Sequence, residues 1–280
     1  MKIRAIQQVL PKLWLDLKIA QYQRLEASPE MRAAAEIFEK RFSVEFGTLT
    51  HMPAAALANL HSPPEDGPDL PESVSVASAH DPCVLADVSV LTAVANSSKV
   101  SVADRHRYFD ALTSIYAKLP RKPIQAREDP NTLFVGIERE GRILAESLNC
   151  LPDGHSIRPH AKRIWFDDGL LVGFTGIPPL PTFGRCTVID GAIASGSTLI
   201  ALLEHLQAVV RSFHIYSAHA AWEGLRAITR YANATGLEVQ VTVGHVTRGI
   251  NDHYYAILPE DHGQVVVGDL GDTISELERQ

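Results

Sequence analysis

A run of small and hydroxyl-bearing residues stands between two apolar segments in the second half of the chain. Asp190 ends an apolar run that starts at Cys186, and from Leu199 onward leucine and isoleucine recur at helical spacing. The residues between these segments are Gly191, Ala192, Ile193, Ala194, Ser195, Gly196, Ser197 and Thr198. The pattern predicts a strand, a loop over residues 191–198 and a helix.

This arrangement could hold a phosphate monoester beside a sugar. Small residues let the backbone close around a ligand, and the start of a helix presents unpaired N–H groups to an anion. Ser195, Ser197 and Thr198 add hydroxyl donors. Asp190 is placed to accept hydrogen bonds from sugar hydroxyls. The alternative is an ordinary strand-to-helix connection with a Ser/Thr cap. No Gly-Lys-Ser/Thr follows, and the glycine spacing does not match a dinucleotide-binding turn.

A second turn of chemical interest follows an apolar run over residues 132–137. Its sequence is Glu138-Arg139-Glu140-Gly141-Arg142, and an apolar helical pattern comes next. An arginine beside a glycine on such a turn can bind pyrophosphate through the guanidinium and backbone N–H groups together. The alternative is a solvated charged turn. The sequence offers no convincing Ser-His-Asp or Cys-His set.

Bulk properties limit the partners and the compartment. The chain has 280 residues, a net charge of −7 and 45% hydrophobic residues, which is enough for a buried core. Mild acidity argues against a nucleic-acid partner held by bulk charge. Three widely spaced cysteines suit a reducing compartment and match no Cys/His metal spacing. The chain shows neither a signal-peptide core nor an apolar run that could span a membrane. We therefore expect a soluble cytoplasmic protein with no membrane partner.

The chain divides into three parts by composition. Residues 1–60 carry an apolar stripe at helical spacing and are expected to form a helical N-terminal extension for packing or oligomerisation. Residues 61–73 are rich in proline and acidic residues and are predicted to be a linker. Residues 74–280 are predicted to form the main domain.

Strand-like and helix-like segments alternate through the main domain, which favours an α/β fold with a parallel sheet covered on both faces. A short strand is expected at residues 74–76, and Ser101 with Asp104 resembles a helix capping box. Residues 155–181 carry Arg158, Lys162 and Arg163; they are expected to cover the active site and close over a polyanion, or to be plain surface. Ligands of such folds bind at the carboxyl ends of the strands, where Arg139, Asp190 and the 191–198 loop would fall.

The run from Val188 to Leu199 resembles the phosphoribosyl pyrophosphate loop of type I phosphoribosyltransferases. The usual second carboxylate is replaced here by Gly191, and the uracil phosphoribosyltransferase branch also lacks it. Six further segments resemble that branch in the right order between residue 73 and the end of the chain. They are residues 80–94, residues 101–117, residues 137–141, Ala220-Ala221-Trp222-Glu223-Gly224, residues 249–255 and Gly268-Asp269-Leu270-Gly271-Asp272.

The resemblance implies a type I phosphoribosyltransferase fold, with a five-stranded parallel core and a C-terminal hairpin or hood. It makes Arg139, Asp190 and Asp269 the catalytic residues. Arg139, Gly141, Asp190 and residues 191–198 would bind the phosphoribosyl pyrophosphate. Mg²⁺ would be carried by the pyrophosphate near Asp269. The base would be bound by Tyr255, Ala256, Gly268, Asp269 and Leu270.

The implied reaction transfers a phosphoribosyl group to a nitrogen of uracil or a related base, with the enzyme acting as a homodimer. Ala256 and Trp222 replace an isoleucine and a proline of the family, and residues 259–268 are longer, so the base pocket differs. A non-catalytic protein that senses phosphoribosyl pyrophosphate or a nucleotide is the second hypothesis. A doubly wound methyl- or hydride-transfer enzyme is a third, which the missing Gly-x-Gly-x-x-Gly turn disfavours.

Overall fold

The computed structural model describes residues 48–53, 70–77, 81–97, 100–119, 129–138, 140–147, 155–166, 169–251, 255–258 and 264–266. The helices in this part of the chain are α1 Pro82–Ala95, α2 Val102–Ala117, α3 Glu140–Ser147, α4 Ser197–Leu206 and α5 Trp222–Thr235. The longer strands are β1 Thr48–Pro53, β3 Thr132–Gly136, β5 His160–Phe166, β6 Gly169–Thr175, β7 Arg185–Ile193, β8 Ser212–Ala221 and β9 Glu238–Thr247. The short strands are β2 Val74–Val76, β4 Ser156–Ile157, β10 Ile257–Leu258 and β11 Gln264–Val265. None of the described helices is long and apolar enough to cross a membrane.

The main sheet has six strands in the order β2-β9-β8-β7-β3-β4, and every neighbouring pair is parallel. The central strands are apolar and β-branched because both faces of the sheet are covered. The parallel α/β class predicted from the sequence is therefore confirmed. The predicted strand at residues 74–76 and the capping box of Ser101 and Asp104 are confirmed as well.

Each face of the main sheet has its own hydrophobic core. Helices α1, α2 and α3 pack on one face, where Leu91, Leu112 and Ile115 are fully buried. Helices α4 and α5 and strand β6 pack on the other, where Leu202 and Ile228 are fully buried. Since α3 and α4 start just beyond the carboxyl ends of β3 and β7, their N-termini lie at one edge of the sheet.

A second sheet corrects two predictions. Strands β1, β6 and β5 form an antiparallel sheet in the order β1-β6-β5. The helical prediction for residues 1–60 is therefore wrong for Thr48–Pro53, while residues 1–47 lie outside the described part. Residues 155–181 contain three strands instead of forming one long cover. Strands β5 and β6 form a hairpin in which Phe166 pairs with Gly169. The basic residues of this segment suggested a polar loop instead of strands.

Strands β7, β8 and β9 share a crease close to their carboxyl ends. The parallel pairing skips Gly191, Ala218 and Gly244, which stand in one row. Val188 of β7, which precedes the row, faces the α4–α5 core, and Ile193, which follows the row, faces the same core. In a regular strand, residues five positions apart would face opposite sides of the sheet. The strands therefore exchange their inward and outward positions at this row.

Side chains satisfy the carbonyl groups around the crease. The Tyr116 hydroxyl from α2 lies 2.6 Å from the Asp190 oxygen and 2.8 Å from the Tyr216 oxygen. The Ser217 hydroxyl lies 3.2 Å from the Gly191 oxygen and 2.8 Å from the His219 oxygen. A Cβ atom at Gly244 would overlap a methyl group of α2. The crease is thus fixed by polar contacts and by close packing.

Candidate functional site

The turn after β7 is shorter than the sequence predicts. Gly191, Ala192 and Ile193 belong to the strand, because pairing with β8 continues beyond the crease to Ala220. Ser197 and Thr198 already form the first turn of α4. The connecting turn is therefore Ala194, Ser195 and Gly196 alone. The predicted loop over residues 191–198 is wrong in its extent, while its position between strand and helix is confirmed.

Close backbone contacts shape this turn. Gly196 has φ = 76°, and a Cβ atom there would lie 2.8 Å from the carbonyl oxygen of Gly224 in α5. A Cβ atom at Gly224 would in turn overlap the carbonyl oxygen of Ala194. Glycine is required at 196 for its backbone conformation and at 224 for space. The first turn of α5 therefore holds the turn against the start of α4.

The hydroxyl groups of the turn face inward. Ser195 and Ser197 are buried, their hydroxyl oxygens are 2.9 Å apart, and the Ser197 N–H donates to the Ser195 hydroxyl over 3.3 Å. Thr198 is half-buried. A phosphate at this turn would contact Thr198 and the N–H groups of the first turn of α4. The buried Ser195 and Ser197 hydroxyls would instead stabilise the conformation of the turn.

Asp190 lies at the crease, and its backbone is held by Tyr116. It comes two residues after Val188, so its side chain continues along the same face of β7. The side chain is half-buried, which leaves it partly accessible at the carboxyl edge. Its position beside the start of α4 suits a carboxylate that accepts hydrogen bonds from a sugar.

The turn after β3 lies directly against the end of β7. The Ile137 N–H donates to the Ile189 oxygen over 3.1 Å, and a Cβ atom at Gly141 would overlap that same oxygen. Arg139 lies outside the described residues, but Glu138 and Glu140 on either side of it are placed. The Arg142 Nε is 3.6 Å from Glu138. The two turns predicted to share a ligand are therefore neighbours at one edge of the sheet.

The segments predicted to line the base are partly described. Glu223 at the start of α5 accepts the Gly249 N–H at 2.9 and 3.1 Å, which ties Gly249 to the first turn of α5. The Tyr255 N–H donates to the Asn251 side chain, and Ala256 is buried and bridges to Ile250. Gly268, Asp269 and Leu270 lie outside the described residues.

Aromatic and imidazole rings surround the ends of β8 and β9. Sequence reasoning singled out Trp222 but not the two histidines or the two arginines beside them. The guanidinium groups of Arg226 and Arg248 lie 4.5 and 5.8 Å from the Trp222 ring centre. His219 is fully buried, and its ring stacks on that of His245 at 5.3 Å. The spacing of these residues along the chain hides the cluster, because it forms only when β8 and β9 pair.

Burial sets the ionisation of the two histidines. Desolvation lowers the pKa of His219 well below its usual 6.5, and the neighbouring His245 adds to this effect. Desolvation also lowers the pKa of His245. Both rings are therefore neutral at neutral pH. The His219 Nε2 is 3.1 Å from the Thr247 hydroxyl, which satisfies one ring nitrogen inside the protein.

The donor set at the carboxyl edge fits a magnesium ion that is carried by a substrate. Within the described ranges, no group of three or more His, Cys, Asp or Glu side chains is arranged to hold a metal. Mg²⁺ commonly keeps several waters and binds through one or two carboxylates together with substrate phosphates. Asp190, with Glu140 on the adjoining turn, provides carboxylates of that kind.

A cleft of about 360 Å³ lies elsewhere, at the far end of α4. It is lined by residues 176–180 and by His205, Leu206 and Val209. Helix α4 runs antiparallel to the strands that it covers, so this cleft lies at the amino edge of the sheet. None of the predicted site residues lines it, and we place the candidate site at the carboxyl edge on the contacts given above.

Solved structures similar to this chain include several phosphoribosyltransferases and a protein whose printed name states no activity. The AQ2163 protein from Aquifex aeolicus is 19% identical, with a TM-score of 0.47, covering 71% of this chain and 96% of that one. Adenine phosphoribosyltransferase from Trypanosoma brucei, in complex with AMP, pyrophosphate and ribose-5-phosphate, is 14% identical (TM-score 0.40; 75% and 98% covered). Orotate phosphoribosyltransferase from Mycobacterium tuberculosis, in complex with 5-phospho-alpha-D-ribosyl 1-diphosphate, is 14% identical (TM-score 0.32; 59% and 90% covered).

No family profile matches the chain, and no curated protein does. Because the TM-scores of the similar structures are below 0.5, the proposal below rests on the residues of this chain.

Proposed function

We propose that this protein transfers a phosphoribosyl group from phosphoribosyl pyrophosphate to a ring nitrogen of uracil or a related base, releasing pyrophosphate. One observation carries the proposal. The turn after β7 follows Asp190 and leads into α4. It lies against the turn after β3 at the carboxyl edge of the parallel sheet. The sequence of the first turn also resembles the phosphoribosyl pyrophosphate loop of the type I family.

We assign each part of phosphoribosyl pyrophosphate to a different group of residues in the donor site. The N–H groups that open α4 would bind the 5′-phosphate, because an unpaired helix N-terminus attracts an anion. Asp190 would accept hydrogen bonds from the ribose hydroxyls. Arg139, on the adjoining turn, would bind the pyrophosphate. Tyr255, Ala256 and residues 268–270 would line the base.

The reaction needs no nucleophilic side chain. The bond between ribose C1 and the pyrophosphate oxygen breaks, and its electron pair leaves with pyrophosphate. The base nitrogen forms a bond to C1 and gives up its proton to solvent. Positive charge develops on the ribose as the leaving group departs. The residues of this chain would act by holding the two substrates in line and by providing carboxylates near the developing charge. A bound Mg²⁺ would neutralise charge on the pyrophosphate.

The identity of the acceptor is the least constrained part of the proposal. Ala256 is buried and bonded to the C-terminal strands, and Trp222 lies beneath two arginines, at positions where the family has other residues. We extend the proposal to a cytoplasmic homodimer with an N-terminal extension before β1 and a linker over residues 61–73. Sedimentation analysis of the full chain would test the dimer.

Two measurements on the full-length protein test the function. Calorimetry with phosphoribosyl pyrophosphate and Mg²⁺ should show binding, and incubation with uracil and related bases should release pyrophosphate and give a nucleoside monophosphate detectable by mass. Binding without release for any base would overturn the transferase and favour the sensor. Absence of binding would overturn both.

A further inference from the structure

The space beside Gly191 is filled by a carboxylate from another element. A Cβ atom at residue 191 would overlap Glu140 Oε2 and lie 2.7 Å from Glu140 Cβ. Glu140 is the first residue of α3, on the turn that lies against the end of β7. Its carboxylate therefore occupies the volume that a side chain on residue 191 would need.

The Glu140 carboxylate is fixed in this place. The buried Tyr108 of α2 donates its hydroxyl proton to Glu140 Oε1 over 2.8 Å. The N-terminus of α3 also favours a negative charge at its first residue. Glu140 is half-buried rather than fully enclosed.

We propose that Glu140 is a binding residue of the donor site, where its carboxylate accepts a hydrogen bond from one ribose hydroxyl while Asp190 accepts from the other. This inference rests on the proposed function and adds a residue to it. Asp190 continues the face of Val188 towards the α4–α5 core, whereas a Cβ atom at Gly191 would meet Glu140 of α3, a helix that packs on the opposite face of the sheet. Asp190 and Glu140 therefore place carboxylates on both sides of the strand end.

The sequence alone offers no reason to choose Glu140. Its neighbours in the chain are charged, and a glutamate at the start of a helix commonly stabilises the helix without any ligand. The contact between Gly191 and Glu140 favours ligand binding over helix stabilisation alone, because the missing side chain at 191 leaves space for the Glu140 carboxylate at the end of β7. Removing the charge while keeping the packing separates binding from stability.

Calorimetric titration of the full chain with two probes tests the inference. The probes are phosphoribosyl pyrophosphate with Mg²⁺ and ribose 5-phosphate without metal. Glu140→Gln keeps an acceptor for Tyr108 and removes the charge, so we expect about ten- to hundredfold weaker binding of both probes, with a melting temperature that falls only slightly because the charge at the start of α3 is lost. The control Glu238→Gln removes an exposed carboxylate at the opposite edge of the sheet and should bind as the unmodified chain does.

A second variant moves the carboxylate from the helix to the strand. Gly191→Asp alone should bind poorly because its side chain meets Glu140, whereas Glu140→Ala combined with Gly191→Asp should regain affinity lost in Glu140→Ala. Equal binding by Glu140→Gln and the unmodified chain would overturn the inference and leave the proposed function standing. A loss confined to the probe with Mg²⁺ would overturn the ribose assignment. If the unmodified chain bound neither probe, the proposed function itself would fail.

Discussion

The carboxyl edge of the main sheet is built in two different ways. At the ends of β3 and β7, Gly141 and Gly196 bring backbone atoms into direct contact, and Gly224 of α5 packs against the second of these turns. The candidate anion site therefore consists largely of main-chain groups. At the ends of β8 and β9, the contacts are made by rings and long side chains, including His219, His245 and Trp222.

The contrast teaches which half of the site can change. A backbone surface binds a phosphate whatever side chains surround it, but it tolerates no added atom. A surface of side chains can be altered one residue at a time. We therefore expect the phosphate half to be the fixed part of the molecule and the acceptor half to set its specificity.

The largest effect is expected from an added methyl group in the backbone half. Gly196→Ala combines a left-handed conformation with a contact of 2.8 Å to Gly224, so we expect about 2–5 kcal/mol less stability to urea. Gly236→Ala is the matched control, because Gly236 has φ = 68° with no atom within 4 Å of an added Cβ. It should lose only about 1 kcal/mol. Equal losses would show that packing at the turn is unimportant.

Removing the charge of Asp190 comes next. Asp190→Asn should reduce turnover by about ten- to a hundredfold, since a charge-assisted hydrogen bond contributes roughly 1.5–3 kcal/mol. Steady-state pyrophosphate release, with the base that gives a nucleoside monophosphate in the mass assay, measures it. Asp110→Asn, which alters an exposed carboxylate of α2, should leave the rate unchanged. Full activity of Asp190→Asn would place the ribose elsewhere.

The histidine pair should make stability depend on pH. The pKa values of His219 and His245 are lowered from 6.5 in the folded chain, so the unfolded chain binds more protons below about that pH. Their contribution is complete above pH 6.5 and is lost as the pH falls, by at most about 1.4 kcal/mol per pH unit for each histidine. Urea unfolding between pH 5 and pH 7.5 (roughly one unit on either side of the ordinary value) would show the slope.

His245→Leu should flatten this pH dependence, and the control His106→Leu, at an exposed position on α2, should not. An unchanged slope in His245→Leu would assign the effect to other groups.

The smallest effect is expected from the arginine over Trp222. A double-mutant cycle with Trp222→Leu and Arg226→Met should give a coupling of about 0.5–1 kcal/mol in the free energy of unfolding. The same cycle with Arg248, whose guanidinium is farther from the ring at 5.8 Å, should give less. A larger coupling for Arg248 would contradict the described geometry.

The sequence was sufficient for features that depend on local pattern. Alternating apolar segments predicted the parallel sheet, and Ser101 with Asp104 predicted the start of α2 because a capping box needs only neighbouring residues. Contacts between distant segments were not predictable. The place of Glu140 beside Gly191 depends on α3 packing against β7.

Strands β1 and β5 were missed for different reasons. The alternating residues of β1 were assigned to the helical extension, because a strand of six residues has little meaning until its partner β6 is known. Strand β5 carries Lys162 and Arg163, which suggested a polar loop. In both cases pairing within a small antiparallel sheet outweighed composition.

The shared crease of β7, β8 and β9 has a consequence for how this protein can vary. The three strands change their inward and outward alternation at the same row. A side chain added at 191 or 244 would collide with a residue of a neighbouring helix, and a shift of one strand alone would break its pairing with the others. Relatives with this architecture should therefore inherit the three positions as a set. An alignment of such relatives that assumed unbroken hydrophobic alternation would be wrong by one position for every strand residue after the row, at the carboxyl edge of the sheet.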